Sequence, residues 1–276
     1  MADRRFRFGV VAGQAGTAAE WTGLAGRAEE LGYSTFLIPD TRHTLAPFPA
    51  LAAVASATRT LRIGTYVLSA ANRTPAMVAW ESQTLAFLSG DRFELGIGAG
   101  RPDAEQDAYA LGVPYGDPSA RIALVAETIE AVRARIGPSS PILVAASRPR
   151  MFELAAQHAD IVALGLPPGS TAAALGAAVA RLRELAGSRF DRLELHVNTA
   201  AVAAGAAEIP EWVSRMVGGD PRAMAAAGGI GFLTGTPTEI ADVLRRRRDE
   251  LGISYVAVSA AFMEALAPVV AQLAGA

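Results

Sequence analysis

Short apolar runs rich in β-branched and aromatic residues alternate with longer amphipathic stretches along the whole chain. The runs at 6–11, 34–38, 61–67, 92–97, 141–145, 161–164, 193–198 and 255–259 have the length and composition of strands. Between and after them, the 3.6-residue period predicts helices over 18–31, 51–58, 75–88, 120–136, 149–158, 172–186, 236–251 and 263–273. Local signals support these bounds. Gly32 follows the first helix in the place glycine favours. Thr236, Pro237 and Glu239 spell a capping box with proline in the first turn. Residues 98–117, with Pro102 and Pro114, read as a loop holding one short helix, and 208–227 read as broken helix.

Eight strands, each followed by helix, predict a single (β/α)₈ barrel spanning 1–276. The rival is an open doubly wound sheet, which carries fewer strands. No internal repeat or linker interrupts the pattern.

Composition narrows the chemistry. At 51% hydrophobic residues the chain fills a large core, so disorder is not expected. A net charge of −2 argues against a nucleic-acid surface. No apolar run approaches a membrane span, and the first residues have no secretory pattern, so a cytoplasmic protein is expected. Cysteine is absent and all 25 basic residues are arginine. That excludes disulfides, thiol nucleophiles, Schiff-base lysines and the P-loop lysine. With only His43, His158 and His196, no histidine-rich metal site is expected.

In a barrel the working loops follow the strands. Asp40, Thr41, Arg42 and His43 cluster after the second strand, where they either face a ligand or form a solvated turn. The segment 66–73 reads as an ordinary connection, with Thr74 capping the next helix and Pro75 opening it. Gly96, Gly98 and Gly100 end the fourth strand. Their spacing differs from a dinucleotide fingerprint, and Pro102 interrupts the helix that should follow. The small residues would instead let a flat ligand lie against the backbone. After the fifth strand, Ser147 either caps the next helix or donates to a phosphate, with Arg148 and Arg150 adding charge. His196 and Asn198 alternate along the seventh strand, one face of which points into the barrel. Arg245–Arg248 read as a solvated helix face, and His158 as a partner of its helix dipole.

Several segments together resemble the luciferase-like flavin and deazaflavin oxidoreductases: 27–35 with Pro39 and Asp40, then 88–100, 156–161 and 235–240. The likeness is closest to the compact branch that uses coenzyme F420. It implies a (β/α)₈ barrel and a deazaflavin ring across the strand ends. It further implies a non-proline cis peptide near Tyr66 and Val67 that backs the ring. Ala99 and Gly100 match the segment beside the ring, Ala145, Ala146 and Ser147 match the phosphate contacts, and Asp40 matches an acidic loop residue. Two positions depart. Many deazaflavin members have histidine where this chain has Thr41, and some have glutamate where it has Arg101. Those residues handle protons in the family's sugar and alcohol dehydrogenases.

Arginine stays charged and cannot act as a base, so Arg101 would bind a carboxylate, stabilise negative charge or hold the cofactor. His43 is the candidate replacement for the missing histidine. The expected function is F420-dependent hydride transfer to or from a small molecule, with reduction of an imine or activated C=C bond favoured over alcohol oxidation. The alternatives are an FMNH2-dependent monooxygenase of the same fold and a non-catalytic barrel acting as a binding partner. Family analogy implies a homodimer.

Overall fold

Eight parallel strands close on themselves in the computed structural model, which describes residues 4–101 and 104–276. In chain order the strands are β1 (Arg7–Val11), β2 (Thr35–Ile38), β3 (Arg62–Thr65), β4 (Leu68–Ser69), β5 (Phe93–Gly98), β6 (Ile142–Ala146), β7 (Ile161–Leu164), β8 (Glu194–Thr199), β9 (Ala201–Ala203), β10 (Phe232–Thr234) and β11 (Ile253–Ser259). The barrel runs β1, β2, β3, β5, β6, β7, β8, β11, and β11 pairs back onto β1. β3 meets β5 only at Ile63↔Phe93 and Gly64↔Glu94, and the short β4 takes over at Leu68↔Ile97. This is the (β/α)₈ barrel the strand pattern predicts.

The helices are α1 (Ala18–Glu30), α2 (Pro47–Ala57), α3 (Pro75–Ser89), α4 (Ala104–Ala110), α5 (Pro118–Ile136), α6 (Pro149–His158), α7 (Ala172–Ala186), α8 (Ser214–Val217), α9 (Pro221–Ala226), α10 (Pro237–Leu251) and α11 (Met263–Leu273). α2 starts four residues before the predicted helix, because Pro47 sits in the first turn, where a missing N–H leaves no bond unmade. The parallel pair β9–β10 was not foreseen. Pro102, expected to interrupt any helix after β5, and the first three residues, whose pattern underlay the cytoplasmic expectation, lie outside the described residues. No described helix is long and apolar enough to cross a membrane.

Alternation along each strand divides the core in two. Phe8, Val10, Phe36, Ile38, Leu95 and Ile97 pack outward under the helices, while Leu37, Leu143, Ile161, Ala163, Tyr255 and Ala257 fill the barrel itself. Charge closes the end where the strands begin. Glu94, nearly buried, receives both Arg7 and Arg62. Arg7 also donates to Glu194 at 2.6 Å and to Thr35 Oγ1 at 3.1 Å, and its guanidinium lies 4.4 Å from the Tyr255 ring centre. Burial works against the charge on Arg7, but Glu94, Tyr255 and Glu194 outweigh it and hold the guanidinium protonated more firmly than usual.

Breaking such a cluster leaves charges without partners. Glu94→Ala is expected to destabilise the fold by about 3 kcal/mol, seen as a lower denaturant midpoint; a midpoint within error of wild type would show the cluster to be dispensable.

Candidate active site at the strand C-termini

At the opposite end the barrel interior opens. Val11, Tyr66, Val67 and Ala145 pack on the inner cluster yet remain partly exposed, and so form an apolar floor across the mouth. Glycines beside it make room. A Cβ on Gly98 would lie 3.1 Å from Val67 Cγ2 and 3.6 Å from Ala145 Cβ. Gly100 has φ +92°, a conformation that favours glycine, and is exposed at the rim.

The floor is built by an irregularity in the third barrel strand. The peptide bond between Tyr66 and Val67 is cis, at the place the resemblance implies. Just before it, the Thr65 hydroxyl donates to the Gly96 carbonyl at 2.7 Å and accepts the Gly96 N–H at 2.9 Å. The side chain thus stands in for the ladder bonds that β3 gives up. A Cβ on Gly96 would sit 1.9 Å from the Thr65 carbonyl oxygen, so only glycine fits there.

Asp40 secures the far side of the irregularity. It is nearly buried, and its carboxylate accepts from the Ser69 N–H at 3.1 Å, Asn72 Nδ2 at 3.3 Å and the two terminal nitrogens of Arg73 at 2.7 and 3.2 Å. The bidentate arginine fork adds fixed geometry to charge. Asp40 therefore bears on the mouth by holding the segment 69–73. Arg73 was not singled out from the sequence, where it reads only as the residue before a helix cap. Two polar atoms of this segment, Ser69 Oγ and Asn72 Oδ1, are buried without a partner among the described residues.

Arginines pin the rim beyond β5. Arg121 donates to the Ala99 carbonyl at 3.0 Å and the Gly116 carbonyl at 2.7 Å, and stacks 4.1 Å from the Tyr115 ring centre. The Tyr115 hydroxyl donates to the Arg101 carbonyl at 3.0 Å. Arg101 itself pairs with the buried carboxylate of Asp107 at 2.7 Å.

Across the mouth, β6 leads into α6. Ala145 faces inward, Ala146 turns its side chain into the outer core, and Ser147 is exposed. The residue capping α6 is Arg148, with no side-chain cap bond, so Ser147 does not cap the helix. The start of α6 is thus open to an anion, with Arg148 exposed beside it and Arg150 bound to Ser119 Oγ at 2.7 Å.

The loop after β2 is locally closed. The Thr41 hydroxyl accepts the His43 N–H at 3.2 Å and lies 3.4 Å from Thr44 Oγ1, and His43 is exposed. Of the two polar residues on β8, Asn198 stands exposed at the mouth, while His196 is fully buried one step below. The His196 ring lies 4.8 Å from that of Tyr66 and 4.5 Å from that of Tyr255. Burial, aided by the charge of Arg7, pulls its pKa down to about 3. Enclosure likewise raises the Tyr66 phenol above its ordinary value, so both rings are neutral at physiological pH.

Asp40→Asn keeps the shape but removes the charge that faces Arg73. It is expected to cost about 3 kcal/mol of stability and to weaken any ligand seated on the floor. Thermal melts with and without FMN or F420 measure both effects; unchanged melting and binding would contradict this role for Asp40.

Comparison with known proteins agrees with this geometry. Residues 5–137 match the model of the luciferase-like monooxygenase family. A Mycobacterium tuberculosis protein, provisionally named a coenzyme F420-dependent oxidoreductase, is 33% identical over 115 residues, covering 42% of this chain and 32% of its own. The chain spans less than half the length of the curated relatives it matches. Among solved structures, the coenzyme F420-dependent tetrahydromethanopterin reductase of Methanopyrus kandleri superposes with a TM-score of 0.75 at 17% identity, covering 98% of each chain. A long-chain alkane monooxygenase superposes with a TM-score of 0.75 at 14% identity, covering 97% of this chain and 91% of its own. The chain is a (β/α)₈ barrel, and its residues 5–137 match the luciferase-like monooxygenase family.

Proposed function

We propose that the protein is an oxidoreductase that holds coenzyme F420 across the mouth and passes hydride to or from a small organic molecule. The observation that carries this reading is the pairing of a flat apolar floor with an open helix start on its rim. Tyr66, Val67 and Ala145 offer a surface suited to a planar ring. Ser147 and the uncapped start of α6 suit its phosphate. Ala99 and Gly100 keep the adjoining rim low, and Asp40 holds the floor in place. The F420-dependent relative and the F420-dependent reductase of like fold support the choice of cofactor.

When bound, a deazaflavin supplies a two-electron hydride and reacts poorly with oxygen. The chain's own residues position the substrate and exclude water. Arg101, fixed by Asp107, is a permanent cation at the rim. It suits a carboxylate or developing negative charge and cannot take a proton from an alcohol. With Thr41 engaged in its own turn and His43 exposed, reduction of an imine or activated C=C bond is the favoured direction.

Anaerobic fluorescence titration with F420 and with FMN tests this. F420 is expected to bind, and Arg101→Ala to lose turnover more than F420 affinity; equal losses would remove Arg101 from the chemistry. Binding of FMN alone would overturn the F420 reading in favour of the FMN-dependent monooxygenase, and binding of neither would favour a non-catalytic barrel.

A homodimer is also proposed. α3 carries a single charged residue, Glu81, and turns Met77, Trp80, Phe87 and Leu88 outward along one stripe. Such a stripe can face its own copy around a twofold axis without charge repulsion. Light scattering should give twice the chain mass, and Trp80→Glu with Phe87→Glu should halve it; a wild-type monomer would overturn the pairing.

A further inference from the structure

His196 is costly where it stands. It is fully buried in the barrel, and neither ring nitrogen has a partner among the described residues. A neutral imidazole carries one N–H donor and one lone pair, and both lose their water partners on burial. An aliphatic or aromatic residue would fill the same space without that loss. Its register neighbours are Ala163 on β7 and Tyr255 on β11, and the surrounding inner cluster is apolar. Nothing in the packing of the fold calls for an imidazole at this position.

Its location gives the imidazole a direction. Two residues further along β8, on the same face, Asn198 is exposed at the mouth. On the other side the ring meets Tyr66, which forms part of the floor. The Tyr255 ring, edge-on at 4.5 Å, supports the imidazole from the adjoining strand. His196 is thus the polar group lying directly against the underside of the floor. Other buried polar atoms lack partners too, Ser82 Oγ and Ser140 Oγ among them, but His196 is the one whose ring lies against the floor.

We propose that His196 is a positioning residue of the mouth, retained at a cost to stability because its imidazole sets the Tyr66 ring against which a ligand lies. This rests on the reading of the mouth as a ring-binding site, and it adds a residue that the family likeness does not supply. The effect passes through Tyr66, so His196 is not assigned contact with the reacting atoms.

The chain has three histidines, so ¹⁵N-imidazole labelling gives three resolvable side chains, with His196 identified by its loss in His196→Phe. Wild type is titrated with FMN and with F420 while binding is followed separately by fluorescence. The His196 signals are expected to shift as the binding ligand saturates, and those of His158 to stay in place. His196→Phe is expected to melt a few degrees higher than wild type and to bind about tenfold more weakly. His196→Gln, which keeps a donor and an acceptor, should recover part of the affinity and secures the test should the phenylalanine variant not fold. Saturation with no movement of the His196 signals, or full affinity in both variants, would overturn this role while leaving the mouth as the binding site. Binding of neither ligand by wild type would overturn the site and this role together.

Discussion

The Asp40 carboxylate is the interaction on which the mouth depends. It lies at the end of β2, yet every group it binds belongs to the stretch after β3. Without it, Arg73 would keep only the looser pairing with Glu81 at 3.9 Å, and the Ser69 N–H would be an unpaired donor. The third barrel strand would then lose the anchor above its irregular step. Thr65 secures the lower side of that step by bonding both backbone groups of Gly96. Between these two clamps, Tyr66 and Val67 are held across the mouth rather than in a regular ladder.

The two ends of the barrel are built differently. At the strand starts, Arg7, Arg62, Glu94 and Glu194 pair with one another, with both arginines on Glu94 Oε1 while Glu94 Oε2 has no hydrogen-bond partner among the described residues. At the strand ends, Ser69 Oγ, Asn72 Oδ1 and both nitrogens of His196 also lack partners among the described residues.

The barrel was legible because each of its strands is a short apolar run followed by a helix, and several of those helices carry their own caps. α6, α7 and α11 fall at their expected bounds. The start of α2 lies four residues before the predicted one, with Pro47 and Pro49 inside its first turn, where proline is tolerated. β9 and β10 were missed because three-residue strands among alanines and glycines leave no periodic signal. The site was legible in parts. Ala145 and Ser147 mark the rim through small size and position before a helix. That Ala146 faces away and His196 faces in depends on strand register, which period-two alternation gives only once a strand's phase is known. The ties from Asp40 to residues some thirty positions along the chain leave no local trace, so neither Arg73 nor Ser69 could be found from pattern alone.

Two other clefts on the surface make the location of the ligand a sharp question. One, of about 610 Å³, lies at the strand starts among Arg4, Phe6, Asp191 and Ser254; another, of about 390 Å³, lies beside α10 near Gly235, Glu239 and Arg246. Neither includes the floor residues. A crystal structure of the protein soaked with F420 tests the account most directly. The account predicts density for the ring on Tyr66, Val67 and Ala145 with its phosphate at the start of α6, and density in either of the other clefts with a bare mouth would contradict it.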